Sequence, residues 1–328
     1  MEIFNPHSNI DFLRLRKVSL TISALLVVIA LAAIFTKGLN YGLDFTGGIL
    51  VEVEYQNPVE IGDVRTALTD AGFKDAQVVS AGGVRDISIR MQNRENKTDA
   101  SASSNASGAE SKTKSDQLAA DVLKALQVKR SDAKMKQPYD FVGATVGDEL
   151  KSDGIIAVLV VIIGIMIYIG IRFEWRFAVA AIASEIHDTL ITVGFYAIMQ
   201  YEFDITVLAS VLAVVGYSIN DKVVVFDRVR ELFRSLRKGE PVDILNKAIN
   251  STLSRTIITA LFTAITMVAL YFFGGPVVHG FARTMIIGIV VGTLSSIFFA
   301  SPILLWLGVS KKDLMPVTRD NPELARRP

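Results

Sequence analysis

Three apolar runs in this chain carry charge where a simple buried run would carry none. Phe177 to Met199 contains Glu185, His187 and Asp188. Ile205 to Ile219 is followed at once by Asn220, Asp221 and Lys222, and the apolar run resumes as Val223 to Phe226. Arg255 immediately precedes the third run, Thr256 to Phe273. An ionisable side chain in hydrocarbon costs roughly 2.5–3.5 kcal/mol on insertion scales, and such residues mark pathways or pairs. On a helix, Glu185, Asp188 and Thr192 share one face. His187 points elsewhere, about 200° round from Glu185. The chemistry that suits these groups is a proton relay. Withdrawal from water favours the protonated form of a carboxylate, and an approaching guanidinium favours the ionised form. Moving Arg255 relative to Asp221 would then switch the aspartate between holding and releasing a proton. Asp188, with Glu185 and His187 beside it, is a second candidate. Asn220 reads as hydrogen-bonding glue between helices. The competing reading of the whole set is a static polar clamp.

The elements that must position these groups are membrane helices. Half of the 328 residues are apolar, at 51%. A helix needs roughly 20 mostly apolar residues to cross the bilayer core. Val18–Thr36, Gly154–Ile171 and Thr284–Leu307 meet that need without interruption, and the three charged runs bring the total to six spans. The first has Arg14, Arg16 and Lys17 before it but a poor cleavage site after it, Thr36-Lys37-Gly38, so it reads as a retained anchor. There is no cysteine, which excludes disulfides, thiolate metal sites and cysteine nucleophiles. Three histidines make a histidine-rich metal site unlikely, and no cofactor is expected beyond the proton as coupling ion. The net charge of +1 gives no field for nucleic acid.

Lys and Arg in the short flanks set the orientation. The segment from Lys222 to Arg255 has eight of them and the tail has five, whereas Gln200–Asp204 and Gly274–Gly280 have none. Both termini are therefore expected in the cytoplasm. On that orientation Asp188 lies about 16 Å in, near the midplane, and Asp221 roughly 24 Å along its inward-running helix, towards the cytoplasmic edge. Arg255 reaches a similar depth. The expected divisions are 1–36, N-terminus and first helix; 37–153, an outside domain; 154–308, a five-helix bundle with a cytoplasmic segment at 222–255; and 309–328, a cytoplasmic tail.

The outside domain alternates strand and helix patterns. Ile49–Tyr55 alternates apolar and acidic residues as a half-buried strand does. Pro58 opens a helical stretch, with Val59, Ile61, Val64, Leu68 and Ala71 on one stripe and Gly72 as its stop. Ala76–Ser80 and Val84–Met91 read as strands around Gly82-Gly83, Gln117–Gln127 as a helix, and Tyr139–Val142 as a last strand. The order is the βαββαβ of an α+β ferredoxin-like unit. Residues 93–115 are rich in Ser, Ala, Asn and Lys and cannot bury a core, so they are expected to be a disordered insertion.

Smaller signals have plainer readings. Gly288 and Gly292 form a GxxxG that lets helices approach closely. Asp227–Lys238 is a basic amphipathic stretch suited to anionic lipid. Thr46-Gly47-Gly48 resembles a phosphate loop only superficially, and no GKS or GKT run exists.

An ordered set of motifs resembles the SecD/SecF protein-export family, and its SecF branch in particular. It begins with Tyr41-Gly42-Leu43-Asp44-Phe45-Thr46-Gly47-Gly48 and continues with Phe141-Val142-Gly143 to Val146-Gly147. Arg172-Phe173-Glu174-Trp175-Arg176 and His187-Asp188 follow, then Gly216-Tyr217-Ser218-Ile219-Asn220-Asp221 and Val225–Arg230. Arg255-Thr256 and Phe273-Gly274-Gly275-Pro276 complete it. The resemblance covers roughly 38–307. The larger outside region of the SecD branch is missing. The resemblance implies a resistance–nodulation–division-type membrane fold in the bacterial inner membrane. It implies a complex with SecD beside the SecYEG channel, the SecA motor and YajC, in which the proton-motive force helps unfolded preproteins across. It places proton handling on Asp221 and Arg255, and more weakly on Asp188. The insertion at 93–115 departs from the family pattern.

Two other functions compete. A self-contained proton-coupled exporter of the same superfamily would need a substrate cavity and typically two matched halves, and the chain has one six-span unit. An intramembrane aspartyl protease would use Asp188 and Asp221, but the YD and GxGD signatures are absent. The expectation is a translocation subunit, not an enzyme.

Overall fold

The computed structural model describes residues 10–73, 76–80, 85–91, 108–136, 140–142, 144–236 and 239–310. Six helices are long and apolar enough to cross a membrane. They are α1 (Arg16–Thr36), α5 (Ala144–Arg172), α6 (Trp175–Met199), α7 (Ile205–Ser235), α8 (Pro241–Phe273), and a rod made of α9 (Pro276–Ser295), a π turn (Ser296–Ala300) and α10 (Ser301–Trp306). Many of their large apolar side chains face outward, among them Phe35, Ile171, Phe262 and Trp306, as lipid-facing helices require.

Small residues set the packing between these helices. A Cβ on Gly194 of α6 would overlap Ala30 of α1, and one on Gly288 of α9 would overlap the Val214 side chain of α7. One turn further on, a Cβ at Gly292 would sit 3.0 Å from Ser218 Cβ. The GxxxG pair thus seats α9 directly on α7.

The fourth and fifth spans run further than their hydropathy implied. α7 continues unbroken through Asp221 and Lys222 to Ser235, and α8 begins at Pro241. The expected cytoplasmic segment 222–255 is therefore two helix extensions joined by a short turn. Val225, Phe226, Val229, Leu232 and Phe233 pack into one core with Ile244, Leu245, Ala248, Ile249 and Leu253. The same packing corrects the reading of Asp227–Lys238, whose apolar face is buried on α8 and not laid on lipid. The N-terminal segment closes this end. Leu13 joins the core, and Asn246 and Asn250 of α8 hold its backbone through Leu13 N–H and Ile10 N–H, both at 3.1 Å.

At the other end stands a sheet. β2 (Gly48–Glu54) is central, antiparallel to β4 (Asp86–Met91) on one side and to β5 (Lys134–Met135) and β6 (Asp140–Val142) on the other. β3 (Gln77–Ser80) flanks β4, also antiparallel. Alternation buries Ile49, Val51 and Val53 against Val64 and Leu68 of α3 (Ile61–Asp70) and Val122 and Leu126 of α4 (Gly108–Lys129). Gly72, at φ 96°, ends α3 as expected. α4 begins at Gly108, so residues 108–115 are helical and not disordered. Ala, Glu and Lys there are good helix formers and need no burial to continue a helix already anchored downstream. The rest of that call, 93–107, lies outside the described residues, as do Gly82-Gly83 and the tail from 311.

β5 was not foreseen, and nor were three short elements at the joint. β1 (Asn40–Tyr41) pairs in parallel with β7 (Glu202–Phe203), which lies between α6 and α7. The short α2 (Leu43–Thr46) follows β1 and carries the family motif into β2.

Candidate functional site

Lys222 is the centre of the charged site, and its side chain is wholly buried. α7 brings it against α6, where Glu185 and Asp188 stand one turn apart. Its Nζ donates to Glu185 Oε2 at 2.9 Å, to Asp188 Oδ2 at 2.7 Å and to Ser218 Oγ at 2.6 Å. All three ammonium protons are thereby used. Asp188 Oδ2 also accepts from Ser218 Oγ and from Ser295 Oγ, each at 2.6 Å. Its other oxygen meets His187 Nδ1 at 2.8 Å. Thr192, on the same face, donates to the backbone carbonyl of Asp188 and not to its carboxylate.

The neighbours explain why the site closes. Ser218 and Ser295 reach one carboxylate oxygen because Gly292 leaves no side chain between α7 and α9. The π turn follows Ser295 directly and brings Phe299 flat onto His187, with ring centroids 4.0 Å apart. π turns inside helices recur at functional sites because they re-aim side chains. His187 thus corrects the helical-wheel expectation: its ring turns back to its sequence neighbour. Glu185 Oε1 and His187 Nε2 are buried without a hydrogen-bond partner. With His187 neutral, two carboxylates face one ammonium, and the cluster carries one surplus negative charge.

Asp221, the next residue on α7, faces differently. It is buried at 3% exposure, and its Oδ2 has no hydrogen-bond partner. Thr256 Oγ1 of α8 is likewise buried and unpartnered, while Tyr217 of α7 is within hydrogen-bonding reach of Thr263 and Thr293. The charges of Lys222 and Arg255 act on Asp221. Arg255 itself is exposed, and no salt bridge joins it to Asp221 among the described residues. Asn220 and Gly216 lie on the exposed face of α7, away from both groups. Asp188 and Asp221 share no hydrogen bond, as a protease dyad would require.

Lys222 is the functional residue that sequence reasoning passed over, as the first residue of a supposed loop. The signal was present: apolar residues resume immediately after it, and Ser218 stands four residues before it.

The remaining motif residues build the joint between sheet and bundle. Gly42 N–H donates to Phe203 O at 2.8 Å, and a Cβ on Gly42 would sit 3.0 Å from Asp204 Cβ. Asp44 Oδ2 accepts the N–H of Ile205, and Asp204 Oδ1 that of Val207, so both acids cap α7. Gly47 and Gly48 have φ of 68° and 135°. A Cβ on Gly147, near the start of α5, would sit 3.0 Å from Gly47 N. Gly274 ends α8, and Pro276 opens α9 at a position where a missing N–H costs nothing.

Known proteins resemble this chain in sequence and fold. The family model described as protein export membrane protein SecD/SecF, C-terminal, matches residues 121–310, and the SecD/SecF GG motif matches 32–59. The protein translocase subunit SecF of Pseudomonas aeruginosa is 43% identical over 309 residues, covering 94% of each chain. That of Vibrio alginolyticus is 40% identical over 96% of this chain and 95% of its own. The crystal structure of SecDF from Thermus thermophilus superposes with a TM-score of 0.78 at 32% identity, covering 93% of this chain and 39% of that one. A SecDF structure in a super-membrane-facing form gives 0.66 over 94% of this chain. This chain spans about two-fifths of the length of those solved chains. With six apolar helices, the GG motif at the joint and SecF relatives matched over more than nine-tenths of their length, the chain belongs to the SecD/SecF family of multi-pass protein-export membrane proteins.

Proposed function

We propose that this chain, a protein translocase subunit of the Sec pathway, uses the proton-motive force to promote preprotein translocation, with Asp221 as the carboxylate that exchanges the proton. The observation that carries the reading is the pair of adjacent residues on α7. Lys222 has every donor occupied, while Asp221 is buried with an oxygen free. A buried carboxylate without a donor can take up a proton and lose no hydrogen bond. Protonation removes a negative charge beside Lys222 and from the field of Arg255. The balance of forces that seats α7 on α6 and α9 then changes. Approach of Arg255 drives the proton off again. The surplus charge on the Glu185–Asp188–Lys222 cluster leaves room for a second proton there.

Each proton crossing 100 mV supplies ~2.3 kcal/mol, enough to bias a two-state motion. α7 links that event to the other end of the molecule, where Asp44 and Asp204 cap it. The sheet there is a periplasmic ferredoxin-like domain on this reading, supported by its strand order and wholly antiparallel sense. The bacterial inner membrane and cytoplasmic termini are supported by the distribution of Lys and Arg. SecD is the expected partner, supported by the likeness to solved SecDF chains more than twice as long. SecYEG, SecA and YajC follow by family resemblance, and an unfolded preprotein is the substrate.

The test is translocation into inverted vesicles that depend on this chain. Asp221→Asn loses the stimulation given by a proton gradient and keeps translocation without one, whereas Asp221→Glu recovers part of it. Full stimulation in Asp221→Asn contradicts the assignment.

A further inference from the structure

The sheet and the helical bundle meet through a clamp and a gap. The segment ahead of β2 is clamped by backbone: β1 pairs with β7, Asn40 Nδ2 donates to Gln200 O at 3.0 Å, and Gln200 Nε2 donates to Gly38 O at 3.1 Å. Beyond the clamp come Gly47 and Gly48, both at positive φ, where glycine moves with least steric cost. Gly47 lies between the clamped segment and β2, and Gly48 is the first residue of β2. Behind them lies a cleft of about 470 Å³, walled by Gln77, Arg90 and Met91 on the sheet and by Tyr41, Gln200 and Glu202 on the bundle. Packed protein interiors leave no such gap.

One charge pair crosses the cleft. Arg90 of β4 forms an ion pair with Glu202 of β7, and both side chains are about three-quarters buried, with 25% and 24% exposure. Arg90 Nε is buried without a partner. Burial lowers the pKa of Arg90, and the carboxylates of Asp204 and Asp44 pull it back up. Those two acids are the caps of α7. A guanidinium that leaves Glu202 therefore stays in the field of two other carboxylates, and release does not strand a charge. A pair three-quarters buried is screened much less than one on the surface, so making or breaking it shifts the balance between a closed and an open sheet.

We propose that Arg90 is a positioning residue: paired with Glu202 it latches the sheet over the cleft, and its release lets the sheet pivot at Gly47–Gly48 relative to α7. The proposal rests on the proton-coupled reading only for what drives the release.

The chain has no cysteine, so two can be introduced without interference. Spin labels at Thr69→Cys on α3 and Val277→Cys on α9, both exposed, report the angle between sheet and bundle in the full-length chain in liposomes. Pulsed electron–electron distance measurement should give one main population in the labelled parent. Arg90→Gln should add a longer population, Glu202→Gln the same one, and Arg90→Lys should return most of the signal to the parent distance. An Arg90→Gln distribution identical to the parent overturns the latch. Equal broadening in Arg90→Gln and Arg90→Lys also overturns it, since charge would then be irrelevant. Imposing a pH gradient on the parent separates the two ideas. A gradient-dependent longer population that Asp221→Asn abolishes supports both, and its absence, with Arg90→Gln still open, sinks the proton drive and leaves the latch standing.

Discussion

Asp188 and Asp221 are both buried carboxylates beside Lys222, and they live under opposite conditions. Asp188 accepts from Lys222, Ser218 and Ser295 on one oxygen and meets His187 on the other. Asp221 keeps one oxygen with no partner, as does Thr256 of α8. The first arrangement fixes an ionised carboxylate and the helices that reach it. The second leaves a carboxylate oxygen on which a proton would displace no hydrogen bond. Hydrogen bonds on both oxygens hold Asp188 in one arrangement, although Glu185 Oε1 and His187 Nε2 of the same cluster have no partner. Adjacent turns of α7 therefore meet one carboxylate that is tied and one that is not.

The comparison breaks most visibly at Lys222. Lys222→Met strands Asp188 and Glu185 together, and leaving a buried ion uncompensated costs about 3–5 kcal/mol. The expected result is a collapse of folded protein in the membrane, read by a shift in thermal unfolding. Adding Asp188→Asn and Glu185→Gln to it restores most of the loss. Asp221→Asn should leave thermal unfolding nearly unchanged, because its free oxygen holds nothing. A large loss of stability there would make Asp221 a second anchor.

Gly292→Val tests the seating of α9. A side chain there drives against Ser218 and should cost about 1–3 kcal/mol as overpacking does, with the Ser218 and Ser295 bonds to Asp188 weakened together. The change should slow proton-dependent translocation and leave the outer sheet intact.

The smallest effect lies outside the membrane. Burial raises the pKa of the Tyr55 phenol above its ordinary 10.0, and Asp132 adds to this while Arg130 opposes it. A raised folded value means the protonated phenol is the form the fold prefers. Its contribution is complete below the unfolded value and is lost as pH rises through the folded one. Alkaline unfolding of the sheet should therefore be steeper in the parent than in Tyr55→Phe, followed by amide exchange of β2.

The sequence made the helices legible because each needs a long apolar run, and the sheet legible because period-two alternation survives in Ile49–Tyr55 and in Ile87–Met91. Residues at the site were legible one at a time, as charges in apolar runs. Their grouping was not. Helical-wheel geometry gives the direction of a Cβ but not a rotamer, so His187 turned back onto Asp188 against expectation. Hydropathy averages across a lysine, so Lys222 read as the edge of a loop although α7 runs on through Val225 and Phe226. The pairing of β1 with β7 joins residues 162 positions apart and has two residues per strand, too few to leave a pattern. Arg255 was placed by depth alone. In the fold it influences Asp221 without contact.

The central claim is that Asp221, and not Asp188, exchanges the proton. Infrared difference spectroscopy of the full-length chain in lipid, taken across a pH step, reads the protonated-carboxyl band directly. The account predicts a band that appears on acidification, vanishes in Asp221→Asn and persists in Asp188→Asn. A band that survives Asp221→Asn and disappears in Asp188→Asn would contradict it and move the working proton to the lysine-held cluster.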